Sequence, residues 1–298
     1  MYMDRLIPSD AFDNEARAYR HITARPYASS LGAEIVGVDV NTMGDEAVEE
    51  LKDALYRHKM VFLRNQKLDD AQHLAFTRRI GTPTRDAYAQ DDDPELVTPM
   101  IKRADQKLPN IFGGGWHVDS PFLPQPPAIT ILRSVEIPPF GGDTMFANAG
   151  LALRTLSPKM QEILAGLRVH MSSSAAVART RALNSGTRGF ASSDVASQAS
   201  DGSYHPMVRT HPVTGEKVLY VSGGYSVGIE GMSEIESDLL LNFLMQHMLQ
   251  HPFTCRLKWE NDMLVLWDNR LCLHFAMNDY DGYRRAMHRS MVAGEVPA

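Results

Sequence analysis

Cysteine is nearly absent from this chain. Only Cys255 and Cys272 occur in 298 residues, with no CxxC spacing, which excludes a disulfide-stapled scaffold and a cysteine-rich metal site. Long apolar runs are missing too: no stretch approaches the roughly 18 uninterrupted apolar residues of a membrane-spanning helix, so no membrane partner is expected. The opening "MYMDRLIPSDAFDNEARAYRH" lacks the apolar core of a signal peptide, and together with the sparse cysteines this predicts a cytoplasmic protein. Positive charge is not in excess. The formal net charge is −6 without a basic run, so nucleic acid is not an expected partner. What remains is an ordinary globular composition, 44% hydrophobic and 22% charged, long enough to bury a core around a site. One domain over 1–298 is expected, with residues 1–28 extended or partly ordered.

Along the chain, "LGAEIVGVDV" (31–40) and "MVFLRNQ" read as strands flanking a helix over 45–59, where Val48, Leu51 and Leu55 recur at helical spacing. A second helix is expected over 68–81, with Asp69 as N-cap and Gly81 as stop. Strands at 128–137 and 143–148 surround the corner "PPFGG", and a helix spans 157–167. Residues 172–203, rich in Ser, Ala and Gly, carry no sustained apolar period and read as a long loop, an active-site lid or cover. "TGE" (214–216) marks a hairpin. Ser233 and Glu236 have capping-box spacing at the head of a helix over 233–250. The C-terminal segments "FTCRLKWENDMLVLWDNRLCLHFAMND" and "YRRAMHRSMVAG" are strand-like. Strands before and after helices, without a regular βαβ alternation, favour a mixed α/β but mainly β, antiparallel architecture.

Chemistry concentrates in "GGGWHVDSPF" (113–122). With 11 histidines and 36 acids in the chain, about one His-x-acid pair is expected by chance, so His117 and Asp119 alone are as compatible with a polar surface turn as with a metal site. In an extended strand they project from one face, an imidazole beside a carboxylate. A third ligand must come from elsewhere, and "LCLH" offers His274 at the end of an apolar strand. Two histidines and one carboxylate form the facial triad of non-haem Fe(II) oxygenases, which leaves open positions for a co-substrate and O2. In "YRRAMHRSM", Arg285 and Arg289 share a face, and an arginine beyond the last histidine suits the far carboxylate of a chelating 2-oxo acid. The plainer alternative is a pair of surface salt bridges to Asp279 or Asp281.

The segments "WHVDSPF", "PPFGGDTMFAN", "HPVTGEKVLYV", "VLWDNRLCLH" and "DYDGYRRAMHR" resemble the taurine dioxygenase family, which includes the phenoxyalkanoate herbicide dioxygenases, over about residues 30–294. The resemblance implies a double-stranded β-helix (jelly-roll) core with flanking helices. It implies an oxidoreductase using Fe(II), 2-oxoglutarate as co-substrate and O2, which couples decarboxylation of 2-oxoglutarate to succinate and CO2 with hydroxylation of a small organic substrate. By the same resemblance His117, Asp119 and His274 ligate iron, Thr144 and Arg285 bind 2-oxoglutarate, and Trp116 and Trp267 are motif neighbours. Arg289 stands where the taurine enzyme holds the sulfonate, and Tyr225 where it has an aromatic pocket residue; both are candidate substrate contacts, with a structural arginine and a half-buried sheet tyrosine as their plainer readings. A homo-oligomer, dimer or tetramer, is implied by the family alone.

Departures from that family bear on the substrate. "GTPTRDAYAQ" (81–90) and "FGGGW" replace the segments that recognise taurine, so taurine itself is not expected. Three consecutive glycines remove bulk beside the proposed iron, and the expected substrate is a larger or more apolar organic acid: an aryloxyalkanoate, an alkyl sulfonate or sulfate, or a natural-product intermediate. Two readings from other classes stay open here: a catalytically silent jelly-roll that binds a small acid, and a zinc hydrolase using the same three ligands.

Overall fold

The strand-like segments assemble into one large sheet and several small ones in the structure, a computed structural model that describes residues 7, 9–87, 96–111, 113–186 and 200–298. The large sheet has the order β1 (Thr23–Pro26), β2 (Ala33–Val36), β3 (Met60–Leu63), β14 (Leu264–Asp268), β6 (Ile129–Glu136), β16 (Arg285–Val292) and β4 (Pro83–Thr84), with β5 (Thr98–Lys102) also paired to β16. Strands from both ends of the sequence share this sheet. Within it β2 and β3 run parallel, while the neighbours that frame the site, β14–β6 and β16–β6, are antiparallel as the sequence pattern favours.

A three-stranded sheet, β13 (Thr254–Leu257), β7 (Thr144–Asn148) and β15 (Cys272–Ala276) in that order, lies against one face of the large sheet. The two faces meet in one cluster: Phe146, Cys255, Leu257 and Cys272 pack with Met60, Phe62, Val265, Trp267 and Met287. The opposite face of the large sheet is covered by α1 (Asp45–His58) and α2 (Asp70–Ile80). Leu51 and Leu55 of α1 are fully buried there, each contributing on the order of 1.5–3 kcal/mol by removal from water. Strands buried on both faces show no apolar–polar alternation, which is why β3 and Leu264–Trp267 of β14 read as continuous apolar runs. The architecture is mostly sheet with flanking helices.

A third cluster gathers α3 (Ala149–Arg154), α4 (Pro158–Ala165) and α6 (Glu234–Met248) with β8 (Arg168–Met171), β12 (Ser226–Ile229) and the hairpin β10 (Val208–Thr210)–β11 (Lys217–Leu219). β9 (Ser203–Pro206) pairs with β8. Caps fall where the sequence places them. Asp69 and Gln72 form a capping box on α2, and Ser233 and Glu236 form one on α6. The stretch 172–203 departs from a plain loop: Ser174–Asn184 is a helix, α5, of which only Val177 and Asn184 are buried. One buried apolar side chain over three turns leaves no amphipathic period to detect. Residues 187–199 of that stretch lie outside the described residues. No helix among the described residues is long and apolar enough to cross a membrane.

Two buried histidines on the helical side make the fold sensitive to acid. His58 closes α1 and hydrogen-bonds Asn14 at 2.6 Å, and His73 on α2 meets Ser290 at 2.9 Å. Burial first, then neighbouring arginines and Lys59, pushes each down from 6.5 to about 4. Between those values the unfolded chain takes up protons that the folded chain refuses. Stability therefore falls as pH drops from ~6.5 to about 4, by about 1.4 kcal/mol per unit of depression for each group. Thermal melts across this window should show a decline that His73→Gln makes shallower; an identical slope in the variant would remove His73 from the account.

Candidate metal centre

His117 sits in a short extended segment that touches the three-stranded sheet at a single bridge. Its N–H donates to the His274 carbonyl at 2.9 Å, and the His274 N–H donates back to the His117 carbonyl at 2.9 Å. This reciprocal pair fixes the two backbones relative to each other, and the rings follow, with centroids 4.1 Å apart. Asp119, two residues on, returns to the same side. The side-chain donor atoms of His117, Asp119 and His274 lie within 4.8 Å of one another, and each imidazole Nε2 is 3.7 Å from Asp119 Oδ1. All three residues are buried.

Hydrogen bonds outside the triad fix which atoms point inward. His117 Nδ1 meets the Gly115 carbonyl at 2.7 Å, so this nitrogen carries the proton and Nε2 keeps its lone pair for the centre. The glycine run thus has a second role beyond small size. Gly113 holds φ +78°, a conformation that favours glycine, while a Cβ there would make only ordinary contact with the His117 ring at 3.4 Å and Ala276 at 3.5 Å. Asp119 Oδ2 accepts from Thr130 Oγ1 at 2.6 Å, which turns Oδ1 toward the two histidines. Thr130 accepts from Asn269 Nδ2 at 2.8 Å, and Asn269 Oδ1 in turn accepts from the Trp267 indole at 3.1 Å and the Asp119 N–H at 3.3 Å.

The charge states suit a cation. Burial alone would raise the Asp119 carboxyl, but the neighbouring His274, His117 and the Arg289 guanidinium hold it well below the usual carboxylate range. For His274, burial and then His117 lower the imidazole to about 3, so it is neutral near pH 7 with a lone pair to offer. Two imidazoles and one carboxylate on one side of a centre suit a divalent first-row ion such as Fe(II). The donor set passes the chemical test for that ion.

Thr144 opens β7 opposite Ala276, one pleat beyond His274 on β15, and its Oγ1 accepts from the Trp259 indole at 2.9 Å. Arg285 opens β16 with its guanidinium 5.8 Å from the Trp259 ring centroid and 6.0 Å from that of Tyr280. Its Nε and Nη2 are buried without a hydrogen-bond partner. Burial lowers its pKa, with Tyr280 and Asp143 opposing. A buried guanidinium left with open donors is costly unless an anion completes it, and a carboxylate matches its fork. Gly142, at φ +69°, makes room for it: a Cβ there would come within 3.2 Å of the Arg285 side chain. The surface salt-bridge alternative does not describe these arginines, because Asp281 is taken by Lys102 and Asp279 by Arg256.

Arg289 lies one side further along. It reaches Asp119 Oδ1 at 3.4 Å through Nη1 and pairs with Asp86 through Nη2. Tyr225 stands 6.3 Å from the His117 ring and 5.5 Å from Phe122, centroid to centroid, in an aromatic wall next to the triad. Every residue singled out in the sequence therefore falls in or beside one buried cluster. Thr130, Asn269, Trp259, Asp86 and Phe122 join it without having been singled out. Asn269, Phe122 and Asp86 lie inside the quoted "VLWDNRLCLH", "GGGWHVDSPF" and "GTPTRDAYAQ"; Thr130 and Trp259 carry no local signal, since their partners are strands away.

Comparison with known proteins points the same way. The model of the family described as "Taurine catabolism dioxygenase TauD, TfdA family" matches residues 23–291. The chain is 32% identical over 278 residues to an alpha-ketoglutarate-dependent sulfate ester dioxygenase from Pseudomonas putida, covering 93% of this chain and 91% of that protein. It is 29% identical over 289 residues to an alpha-ketoglutarate-dependent 2,4-dichlorophenoxyacetate dioxygenase from Cupriavidus pinatubonensis, covering 90% and 96%. Its structure matches that of a taurine dioxygenase from Burkholderia xenovorans with a TM-score of 0.77 at 33% identity, covering 94% of this chain and 93% of the other.

Proposed function

Because the chain belongs to the TauD/TfdA family and is a 2-oxoglutarate-dependent dioxygenase that works with Fe(II) and O2, we propose that His117, Asp119 and His274 hold the iron and that the substrate hydroxylated is a small organic acid. When bound, the metal couples oxidative decarboxylation of 2-oxoglutarate with oxygen insertion into a substrate C–H bond. Arg285 binds the distal carboxylate of 2-oxoglutarate, with Thr144 beside it. The observation that carries this assignment is the buried, unpartnered guanidinium of Arg285 on the strand that follows the triad's second histidine. A hydrolase gives that cation no task, and a silent binder of small acids gives none to the triad beside it.

The remaining residues position and exclude. Gly115 and Thr130 aim Nε2 of His117 and Oδ1 of Asp119 at one point. Tyr225 and Phe122 offer an apolar wall against which a hydrocarbon or aryl group packs. Relatives named for sulfate esters and for 2,4-dichlorophenoxyacetate support an acid carrying such a group, and Arg289 is the cation it approaches. The reading of 172–203 as a cover is supported by α5, where Asn184 and Thr180 hydrogen-bond Asn110, just ahead of the glycine run.

The test is 2-oxoglutarate-dependent O2 consumption against a panel of alkyl sulfates, alkyl sulfonates and aryloxyalkanoates, with succinate measured alongside. At least one acid should stimulate turnover and give an oxidised product. Turnover that no acid on the panel changes would overturn the substrate class while leaving the reaction class intact. A second check concerns positioning. Thr130→Val removes the hydroxyl that turns Asp119, and Fe(II) affinity in anaerobic titrations should fall about 10–100-fold; unchanged affinity would deny Thr130 that role.

A further inference from the structure

Arg289 is placed to receive a substrate anion, yet it already holds one. Its guanidinium lies between Asp119, whose Oδ1 faces both histidines, and Asp86. The side chains of Arg289 and Asp86 are only 6% and 7% exposed, so water does little to screen the pair. Burial works against the Arg289 charge, but the two carboxylates more than offset this and raise its pKa. Asp119 is committed to the triad. Asp86 stands outside the triad: it lies past the end of β4, outside any strand or helix, so its carboxylate can leave Arg289 without breaking a sheet ladder.

Counting charge shows what Asp86 does. Among the described residues, Arg285 and Arg289 contribute two positive charges, Asp119 and Asp86 two negative ones. A divalent iron and a dianionic 2-oxoglutarate cancel each other, so the loaded site is neutral while Asp86 stays in place. An entering monoanion would then add an uncompensated charge to a buried site. Without Asp86 the site carries one surplus positive charge, and Arg289 can turn that edge of its guanidinium to a planar or tetrahedral acid group.

We propose that Asp86 is a specificity-determining residue, an internal carboxylate that occupies Arg289 and that the substrate's acid group must displace. This rests on the reading of the substrate as an organic acid. Asp86 thereby weakens binding of every anion at this position and favours those whose apolar part repays the displacement against Tyr225 and Phe122. Small acids with little apolar surface are discriminated against most.

The experiment compares the parent protein with Asp86→Asn and Asp86→Ala, each loaded anaerobically with Fe(II) and 2-oxoglutarate. Hexyl sulfate, hexanesulfonate and phenoxyacetate are titrated calorimetrically, with 1-hexanol as the uncharged control. Both variants should bind the anions about tenfold or more tightly than the parent, because a charge-assisted hydrogen bond to Arg289 then forms without having to displace the Asp86 carboxylate, and should bind hexanol as the parent does. Equal anion affinity in parent and variants overturns the proposal and leaves the organic-acid reading standing. Weaker anion binding together with weaker 2-oxoglutarate binding also overturns it, since Asp86 would then merely hold the site in shape. If no anion binds any of the three proteins, the organic-acid reading falls and this proposal with it.

Discussion

Asp119→Ala should bind Fe(II) too weakly to detect and should convert no 2-oxoglutarate to succinate. The substitution removes the one carboxylate of the triad, the atom to which both imidazole Nε2 groups are 3.7 Å distant, and a pair of imidazoles alone is a weak site for a ferrous ion. It also strips Thr130 of its acceptor and Arg289 of one of its two carboxylates. Loss of a buried hydrogen-bonded charge costs stability as well, so a drop in activity by itself would be ambiguous. Asp119→Asn resolves this by keeping the shape of the side chain. A variant that melts near the parent temperature yet takes up no metal locates the loss at the centre, whereas retained turnover in both variants would sink the triad.

Arg285→Met should separate function from stability in opposite directions. Two charge-assisted hydrogen bonds to a carboxylate, at about 1.5–2 kcal/mol each, amount to roughly a hundredfold to thousandfold in the KM for 2-oxoglutarate. The same change replaces a buried guanidinium with open donors by an apolar side chain of similar length, beside Trp259 and Tyr280. Relief of an uncompensated charge should raise the melting temperature of the co-substrate-free protein. Adding 2-oxoglutarate, which stabilises the parent by binding its folded state, should no longer shift the variant. A variant that melts lower than the parent and keeps its KM would show that Arg285 is a structural cation.

Local signals were legible wherever a short stretch of chain decides the outcome. Asp69 with Gln72, and Ser233 with Glu236, specify helix starts through contacts three residues apart, and the "TGE" turn closes the β10–β11 hairpin. The triad was legible because its members carry unusual chemistry in motif-bearing segments. What escaped depends on register between distant strands. Thr130 becomes a partner of Asp119 only after β6 has paired with β14 to place Thr130 opposite Trp267, and Trp259 reaches Thr144 only after β13 has paired with β7. α5 escaped for another reason, since its short side chains bury too little to leave a pattern. The glycines were read as empty space; their carbonyl and tight turn matter as much.

The pieces of chain around the centre divide into two mechanical classes. Both histidines of the triad and Arg285 belong to paired backbone, and His117 and His274 are clasped by reciprocal hydrogen bonds. Asp86 and Phe122 sit on chain outside strands and helices. On the proposed assignment, a mutation in the second class changes what is admitted without disturbing the paired frame that holds the triad. On the same assignment the molecule is evolvable in a specific sense: single substitutions outside the frame alter its substrate range while its reaction stays constant.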